Sequence, residues 1–592
     1  MGAPRFVPLV GTTDADRDAI GNKAWGIMRM GLLGLPVPPA FVLPVAECRL
    51  YHDNDQFLDE RTWSGVLAGM QWLEGETGKV FGDPAAPLLV SVRSGAVVSM
   101  PGMMDTVLNL GITDDVETAL ARSSGDAEFA RDTHARFCHH FGKVVLGADV
   151  EADTCGDDIE VLRQDITRDC GRPFPLDPVE QLRLAVSAVF QSWASRRAIA
   201  YRKHWGLSEV GGTAVTIQAM VFGNLSDESG TGVFFTRDPL TGERNPYGEW
   251  LPRGQGEDVV SGTHAVQTLH DLAQQQPAVH AELLRAGEVL ERENRDVQDM
   301  EFTVEQGRLF LLQTRVAKRS PAAAVRTAAD FVDEGVIDRD LALTRVTPEQ
   351  VRTLLQPRLS PDAITSEPLA TGEPACFGVA SGIAVADSEA AERAAAQGQD
   401  VVLVRPTTSP EDIAGMIAAR AVVTELGGAT SHAAVVARAL GRPCVVGTGP
   451  GSTSAWIGQL VTVDGSRGAV YLGRLATDQV RVEEHPGLSR LLQWAREACP
   501  LVVGGEPSGE VRDLDAAGIG LDAGEPPALE VVVAALQGAA VGTGTVLSTP
   551  VGAEALLQAR VPAVALAVGQ HELMVLLQLV HAQRRAAPSG EC

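Results

Sequence analysis

Apolar and polar positions along this chain follow two different patterns, and the pattern changes from region to region. In residues 20–39, 117–145 and 178–201 the arrangement is helical, and the first of these stretches ends at a Gly-Leu-Pro-Val-Pro-Pro stop. In residues 213–238 and 300–315, apolar residues alternate with polar ones around a glycine-containing turn, which predicts two β-hairpins. The first part of the chain is therefore predicted to mix helices with antiparallel strands.

The amino-acid composition of the chain changes near residue 346. Residues 346–375 are rich in Pro, Ser and Thr, which predicts an extended linker between residues 1–345 and the next unit. Residues 376–475 contain five short runs rich in Val, Ile and Leu, typical of a compact α/β domain. A second polar linker, residues 476–487, leads to a last α/β segment, residues 488–592. We therefore expect a multidomain protein built from α/β and α+β units.

The composition of the chain argues against several classes of protein. With 76 acidic and 49 basic residues the formal net charge is -27, which argues against general binding to nucleic acid or to an anionic membrane. The eight cysteines are scattered without a Cys-x-x-Cys pair, so we expect reduced thiols in a cytoplasmic protein. The N-terminus has no secretory pattern, and the apolar run 561–580 is interrupted by polar residues, so no membrane span is expected.

A lone histidine follows a glycine-rich turn in the stretch TELGGATSHAAVVARALGRPCVVG. Gly427 and Gly428 allow a tight turn, and Thr430 or Ser431 is expected to cap a helix that begins near His432. A helix N-terminus favours anions, and a neutral imidazole is a competent nucleophile near pH 7. From these residues alone, a helix-capping turn with an incidental histidine is the favoured interpretation, and a phosphoryl-carrying histidine is the alternative.

Two stretches of the first 345 residues have the composition of a polyphosphate site. Arg93, Gly95 and Gly102 share one flexible stretch, whose backbone N–H groups and arginine fork can hold phosphates. Asp299 and Glu301 are two residues apart on a predicted strand, so both carboxylates point to one face, as Mg²⁺ ligation needs.

Gln313 and Arg315 share one face of the following predicted strand by the same argument. The residues by themselves also fit a surface turn at the glycine-rich stretch and an acidic edge strand paired with a basic one.

The stretch GGATSHAAVVARALG closely resembles the phosphohistidine signature of the phosphoenolpyruvate-utilising enzymes, and within them the pyruvate, phosphate dikinase group. VVLVRPTTSPEDIAGM, PACFGVASGIAV and VDGSRGAVYLG resemble the same family, as do GNKAWG and SGTGVFFTRDPLTGERNPYGEWL. The resemblance runs with small gaps from about residue 7 to residue 473.

The resemblance implies an ATP-grasp nucleotide domain in residues 1–345 and a swivelling phosphohistidine domain in residues 376–475. His432 would take a phosphoryl group from ATP, and Thr430 would be a regulatory phosphorylation site. Arg237 and the stretch QGEDVVSG would line the pocket. The remaining implied nucleotide-binding residues are Lys23, Arg93, Glu249, Asp299, Glu301, Gln313 and Arg315, with Asp299 and Glu301 also binding Mg²⁺.

Residues 488–592 depart from the family. The family's pyruvate-binding (β/α)₈ barrel needs at least about 200 residues. The segment after Gly520-Leu521 reads Asp522-Ala523-Gly524-Glu525, where the family has Arg-Thr-Glu-His. We therefore expect a strongly reduced C-terminal α/β domain.

Three functions follow, in order of preference. The first is a dikinase-type phosphotransferase that releases AMP and passes the phosphoryl group of His432 to an acceptor other than pyruvate. The second is a pyruvate, phosphate dikinase that uses a barrel from a partner chain, and the third is a phosphocarrier or regulatory protein. The sequence leaves open whether the γ-phosphate goes to phosphate or water, and whether the chain forms a homodimer.

Overall fold

The computed structural model describes residues 6–9, 15–97, 106–150, 158–204, 211–261, 264–355, 358–364, 367–478, 481–482, 485–499, 501–504, 511–517, 519, 527–566 and 572–586. Gly102, which the sequence places in a phosphate-binding stretch, lies outside the described residues. In the part of the chain that is described, no helix is long and apolar enough to cross a membrane.

The N-terminal unit contains two antiparallel five-stranded sheets. The first sheet has the order β1-β2-β7-β5-β6, the second has the order β10-β9-β8-β11-β12, and β3 pairs with β4 beside them. The strands are β1 (Val7–Pro8), β2 (Ala40–Leu43), β3 (Val80–Phe81), β4 (Pro87–Leu88), β5 (Val90–Gly95), β6 (Thr106–Leu110), β7 (Ala214–Ala219), β8 (Gly230–Phe235), β9 (Tyr247–Pro252), β10 (Gln267–Thr268), β11 (Gln298–Glu305) and β12 (Arg308–Val316).

Eleven described helices surround these sheets, and nine of them bury their apolar faces in two separate cores. The other two contribute Ala198 and Val259 to different apolar clusters. They are α1 (Arg17–Leu32), α2 (Val45–Asp53), α3 (Glu60–Thr77), α4 (Asp114–Ser124), α5 (Ala127–Phe141), α6 (Ile159–Cys170), α7 (Pro178–Ser192), α8 (Arg196–His204), α9 (Gly256–Ser261), α10 (Leu269–Gln275) and α11 (Pro277–Asn294).

One of the two predicted hairpins is confirmed and the other is wrong. Strands β11 and β12 form a hairpin that turns at Gln306 and Gly307, both with positive φ angles, as a two-residue turn requires. Strands β7 and β8 do not pair, because β7 lies between β2 and β5 whereas β8 lies between β9 and β11. The chain leaves one sheet and enters the other over 220–229.

The predicted linker 346–375 is largely folded. Three helices follow the second sheet: α12 (Pro321–Asp333), α13 (Arg339–Arg345) and α14 (Pro348–Leu354). A short strand, β13 (Arg358–Leu359), comes next. Thr347 caps α14 through a capping box with Gln350, so the Thr-Pro-Glu-Gln run starts a helix where the sequence suggested an extended segment.

The central domain is built on an eight-stranded mixed sheet with the order β14-β21-β20-β16-β17-β18-β19-β15. The strands are β14 (Ala370–Thr371), β15 (Glu373–Cys376), β16 (Val379–Val385), β17 (Val401–Arg405), β18 (Ala421–Thr424), β19 (Cys444–Val446), β20 (Leu460–Asp464) and β21 (Ala469–Leu472), with helices α15 (Ser388–Ala396), α16 (Ile413–Ala418) and α17 (His432–Leu440). All five predicted strands are present. The sheet begins at Ala370, within the predicted linker.

Both connections of the central domain run side by side. Strand β22 (Thr477–Asp478) pairs with β13, with Arg358 opposite Asp478 and Leu359 opposite Thr477. Leu359 is buried beside Tyr471 at the base of the central domain. The entering and leaving segments therefore form one two-stranded ribbon.

The C-terminal unit is an α/β arrangement, as expected, with four parallel strands in the order β23-β26-β25-β24. The elements are α18 (Pro486–Ala498), β23 (Val502–Val503), β24 (Val511–Asp513), α19 (Leu529–Leu536), β25 (Val541–Thr543), α20 (Pro550–Ala559), β26 (Ala563–Val564) and α21 (Glu572–Ala586). Helices α18 and α21 share one apolar core with α12, α13 and α14. The C-terminal unit is thus packed on the N-terminal unit, and the central domain is inserted between them along the chain.

Candidate active site

Lys23 and Arg93 lie on the same side of the first sheet because helix α1 approaches strand β5 closely. Helix α1 is kinked at Gly21, whose φ is 77° and where a Cβ atom would lie 2.1 Å from the carbonyl oxygen of Gly95. Only glycine fits there. A Cβ on Gly95 would in turn lie 3.6 Å from the Cβ of Lys23. Arg93 precedes Gly95 by two residues on β5, so it points to the same side of the sheet as Lys23.

Five candidate residues lie on one face of the second sheet, in two neighbouring rows. Glu249 pairs with Val233, which pairs with Glu301, which pairs with Gln313, so these residues form one row across four strands. The Gln313 side-chain amide donates a 2.8 Å hydrogen bond to Glu301. Pairing residues share a face, and the row therefore collects two carboxylates and an amide.

A second row lies next to the first on the same face. It runs from Tyr247 through Phe235 and Asp299 to Arg315. Arg315 Nε donates to Asp299 Oδ2 at 2.7 Å. Burial raises the pKa of the Asp299 carboxyl, although the Arg315 guanidinium opposes the shift, and the neighbouring Glu301 raises it further. Asp299 and Glu301 thus lie near one arginine, in a site that disfavours the charge of Asp299.

The loop before His432 is docked against strand β9. The Thr430 hydroxyl donates a hydrogen bond to Glu249 across the boundary between the central domain and the N-terminal unit. Glu373 accepts hydrogen bonds from the backbone N–H of Ala429 at 3.0 Å and from the Tyr247 hydroxyl at 3.1 Å. Each unit therefore donates one hydroxyl hydrogen bond to a carboxylate of the other unit.

The predicted cap at the start of α17 is wrong. Ser431 occupies the N-cap position, but its hydroxyl makes no capping hydrogen bond and has no partner among the described residues. The Thr430 hydroxyl is used by Glu249. Gly427, with a φ of 101°, turns the chain so closely that its Cβ would lie 3.0 Å from Ser431. The first N–H groups of α17 are thus left without a side-chain cap, beside the ring of His432.

The protonation and hydrogen bonding of the His432 ring fit those that a nucleophile requires. Its Nε2 atom is buried and has no hydrogen-bond partner among the described residues. Burial lowers the pKa of His432, and the Asp412 carboxylate opposes that shift. Asp412 is itself buried and is held by Ser388 at 3.0 Å and by Arg405 at 3.2 Å. The imidazole is therefore neutral at pH 7 and keeps one open nitrogen.

Two parts of the chain that were expected to line the nucleotide pocket form ion pairs with other residues instead. The guanidinium of Arg237 is fully buried and forms ion pairs with Glu291 at 2.9 Å and with Glu334 at 2.7 Å. Its role is structural, and its assignment to the pocket is wrong. In the stretch QGEDVVSG, Asp258 pairs with Arg136 at 2.7 Å.

Sequence reasoning missed four residues of this region. Tyr247, Asp412 and Arg438 lie within motifs that were noticed for other residues, and Glu373 lies in the predicted linker. The linker composition gave no signal for Glu373. Only the folded sheet brings it to the His432 loop.

Two family models match the chain. Residues 68–283 match the pyruvate phosphate dikinase AMP/ATP-binding domain, and residues 397–468 match the mobile domain of the PEP-utilising enzymes.

Several relatives have the same name. Pyruvate, phosphate dikinase of Rhizobium meliloti (strain 1021) is 41% identical over 526 residues, which cover 81% of this chain and 58% of the relative. Pyruvate, phosphate dikinase 2 of Zea mays is 42% identical over 493 residues, covering 77% of this chain and 56% of the relative. The chain therefore spans little more than half the length of these relatives. By its two matched domains and this extended identity, the chain belongs to the pyruvate, phosphate dikinase family of phosphoenolpyruvate-utilising enzymes.

Proposed function

We propose that this chain performs the nucleotide half of the pyruvate, phosphate dikinase reaction, with His432 as the phosphoryl acceptor. The observation that carries the proposal is the docking of the His432 loop through Thr430 and Glu249. This contact docks the loop that precedes the open imidazole nitrogen against the row that contains Glu249 and Glu301.

In the proposed reaction, the open nitrogen of His432 attacks the β-phosphorus of ATP. A nitrogen–phosphorus bond forms, the bond from the β-phosphorus to the bridging α,β-oxygen breaks, and AMP leaves with that oxygen. The proton on the other ring nitrogen passes to solvent. The γ-phosphoryl group then passes to phosphate, giving pyrophosphate, or to water, and the β-phosphoryl group remains on His432.

The N-terminal unit would hold the nucleotide as an ATP-grasp domain. Its two antiparallel sheets both contribute candidate residues, since Lys23 and Arg93 lie at the first and Gln313 and Arg315 at the second. Positive charge from Lys23 and Arg93 would bind the phosphates, and catalysis would consist mainly of positioning and charge neutralisation.

Asp299 and Glu301 would hold Mg²⁺. Among the described residues, no group of three or more His, Cys, Asp or Glu could bind a metal ion. A pair of carboxylates is nevertheless sufficient for Mg²⁺ in nucleotide sites, where phosphate oxygens and water complete the coordination. The raised pKa of Asp299 supports the fit, because an adjacent cation would favour its charged form. When bound, the ion supplies charge neutralisation at the phosphates.

Thr430 would be the regulatory site that the resemblance implies. Its hydroxyl is buried against Glu249, so a phosphoryl group there would face the carboxylates of Glu249 and Glu373. The central domain could then not dock as described.

Pyruvate is the proposed acceptor, bound on a barrel domain that a partner chain supplies. The names of the relatives specify pyruvate and phosphate, which favours this alternative over an acceptor other than pyruvate. The C-terminal unit has little likeness to a barrel fragment, because β23 pairs with β26 and not with β24. A cytoplasmic location stays a prediction, supported by the free thiols of the described cysteines.

The test is the transfer of label from [β-³²P]ATP with Mg²⁺ and phosphate. We expect a single acid-labile phosphoryl group per chain, with release of AMP, and no label in His432→Ala. Cys444→Ala is the control, because burial raises the pKa of that thiol and keeps it protonated and inert. AMP formation that survives in His432→Ala contradicts the proposal.

The acceptor is tested by adding pyruvate together with the barrel-containing half of the Rhizobium meliloti relative. Appearance of phosphoenolpyruvate in the phosphorus NMR spectrum supports the partner-chain barrel. Discharge of the label onto pyruvate without the added half contradicts the need for a partner.

A further inference from the structure

Arg438 is a buried arginine on the helix that begins with His432. It lies in the last turn of α17 and is only 5% exposed. Its Nη1 atom donates a 3.1 Å hydrogen bond to the carbonyl oxygen of Ala375. Its Nε and Nη2 atoms have no hydrogen-bond partner among the described residues. Two of its donor atoms are thus buried without an acceptor.

The surroundings of Arg438 come from two units. In the central domain the guanidinium lies beside the buried thiols of Cys376 and Cys444. From the N-terminal unit, Asp299 and Tyr247 are within its electrostatic reach. Those two residues lie in one row of the second sheet, with Phe235 between them. The hydrogen bond that Arg438 donates to Ala375 places its guanidinium on strand β15, and Glu373 of that strand accepts a hydrogen bond from Tyr247. Arg438 therefore lies on the side of the central domain that docks against the row containing a candidate Mg²⁺ ligand.

A purely structural role explains only part of this arrangement. One hydrogen bond to Ala375 would fix the edge strand β15 against the helix, and a positive charge near a helix C-terminus is favourable. Neither contact uses Nε or Nη2, and buried donors without acceptors are costly. Burial also lowers the pKa of Arg438, so its charge is held there at a cost that the Asp299 carboxylate reduces only in part.

We propose that Arg438 is a catalytic residue that the central domain supplies to the nucleotide site. Its unpartnered Nε and Nη2 atoms donate to phosphate oxygens of the triphosphate that Asp299 and Glu301 face. This inference rests on the proposed function, since it concerns the same transfer to His432. The ligand class is the triphosphate of a nucleoside.

The placement has a mechanistic consequence. Lys23, Arg93 and Arg315 belong to the N-terminal unit and remain with the nucleotide whether or not the central domain is docked. Arg438 moves together with His432 because both lie on α17. The site therefore gains its last positive charge only when the nucleophile is present, which protects ATP from transfer to water in the undocked state.

Arg442 offers a matched control. It lies two residues after the end of α17, donates one 3.2 Å hydrogen bond to the carbonyl of Ile417, and also has a buried Nε without a partner among the described residues. Among the described residues, the charges that act on it come from Arg420 and Glu349, which are not candidate nucleotide residues. Arg442→Gln therefore removes a similar guanidinium outside the site.

The experiment measures single-turnover labelling of His432 from [β-³²P]ATP in wild type, Arg438→Gln, Arg438→Lys and Arg442→Gln. We expect Arg438→Gln to label at least about 100-fold more slowly than Arg442→Gln, and Arg438→Lys to recover only part of the rate. Added guanidinium ion should raise the rate of Arg438→Gln but not that of Arg442→Gln. Labelling of Arg438→Gln within about threefold of Arg442→Gln overturns the proposal.

A second measurement separates this inference from the proposed function. The rise in melting temperature on adding Mg²⁺ and a non-hydrolysable ATP analogue should be smaller in Arg438→Gln than in Arg442→Gln. That difference does not require any transfer to His432. A wild type that takes no label but shows the difference would refute the proposed function and support the role of Arg438, whereas equal shifts in both variants would refute the role of Arg438.

Discussion

The Thr430 hydroxyl donates a hydrogen bond to the Glu249 carboxylate across the boundary between the central domain and the N-terminal unit. Burial raises the pKa of Glu249, the Thr430 hydroxyl opposes that shift, and the nearby Glu373 carboxylate adds to it. This contact is therefore both a part of the docked interface and a point at which added negative charge is unfavourable.

Removing the Thr430 hydroxyl should slow the transfer to His432. In Thr430→Val, the Glu249 carboxylate loses the hydrogen bond that the Thr430 hydroxyl donates to it. A hydrogen bond to a charged group contributes about 1.5–3 kcal/mol, so we expect labelling from [β-³²P]ATP to slow by about 10- to 100-fold. Thr430→Ser keeps the hydroxyl and should remain near wild type. The affinity for Mg²⁺ and ATP, measured by equilibrium dialysis, should be unchanged, because Thr430 lies on the other unit. Weakened nucleotide binding would argue against an interface role.

A negative charge at position 430 should have a larger effect. Thr430→Asp places a carboxylate against Glu249 and near Glu373, and like charges in a buried interface repel strongly. We expect labelling to fall below that of Thr430→Val, and the radius of gyration from X-ray scattering to increase as the central domain undocks. Labelling as fast as that of Thr430→Val would show that charge at this point is tolerated.

Gly428 should not accept a side chain. A Cβ atom there would lie 2.7 Å from Glu249 Oε1. Gly428→Ala should thus push the His432 loop away from β9 and slow labelling, with little change in melting temperature, because the clash exists only in the docked state. Gly75→Ala is the control: no atom lies within 4 Å of its Cβ position, and the residue is in a helix. Equal labelling rates in the two variants would contradict the docked geometry.

The pH dependence of labelling should reflect the lowered pKa of His432. Since burial lowers this pKa below its usual value of about 6.5, the neutral nucleophile should persist as the pH falls through 6.5. Asp412 holds the pKa up, so Asp412→Asn should lower it further. The ratio of the Asp412→Asn rate to the wild-type rate cancels the ionisation of ATP. This ratio should rise as the pH decreases below 6.5, and a falling ratio would contradict the neutral nucleophile.

Arg237 should matter for stability and not for transfer. Arg237→Gln leaves Glu291 and Glu334 without their shared partner, and since both are partly exposed we expect a loss of about 2 kcal/mol in the free energy of unfolding. Arg244→Gln, 68% exposed and 3.9 Å from Glu334, should cost less than about 0.5 kcal/mol. Urea denaturation measures both. The labelling rate per folded molecule should be unchanged in Arg237→Gln, and a large decrease would return Arg237 to the nucleotide site.

The pattern of apolar and polar residues was sufficient to predict the structure wherever a segment pairs with another segment close to it in the sequence. The hairpin of β11 and β12 followed from alternation around one turn, and with it the shared face of Asp299 and Glu301. The five strands of the central domain and the turn before His432 were also readable from short runs of residues. These features depend on backbone geometry over a few residues, which the sequence specifies directly.

Contacts between distant segments were decided only by the tertiary structure. The alternating residues over 213–238 were correctly seen as strands, but their partners lie in two different sheets. Either Thr430 or Ser431 was expected to cap the helix of His432, yet the Thr430 hydroxyl bonds Glu249, 181 residues away. Arg237 and Glu373 could not be placed from their neighbours along the chain either. Periodicity fixes which face a side chain occupies, whereas the identity of its partner depends on how the units pack.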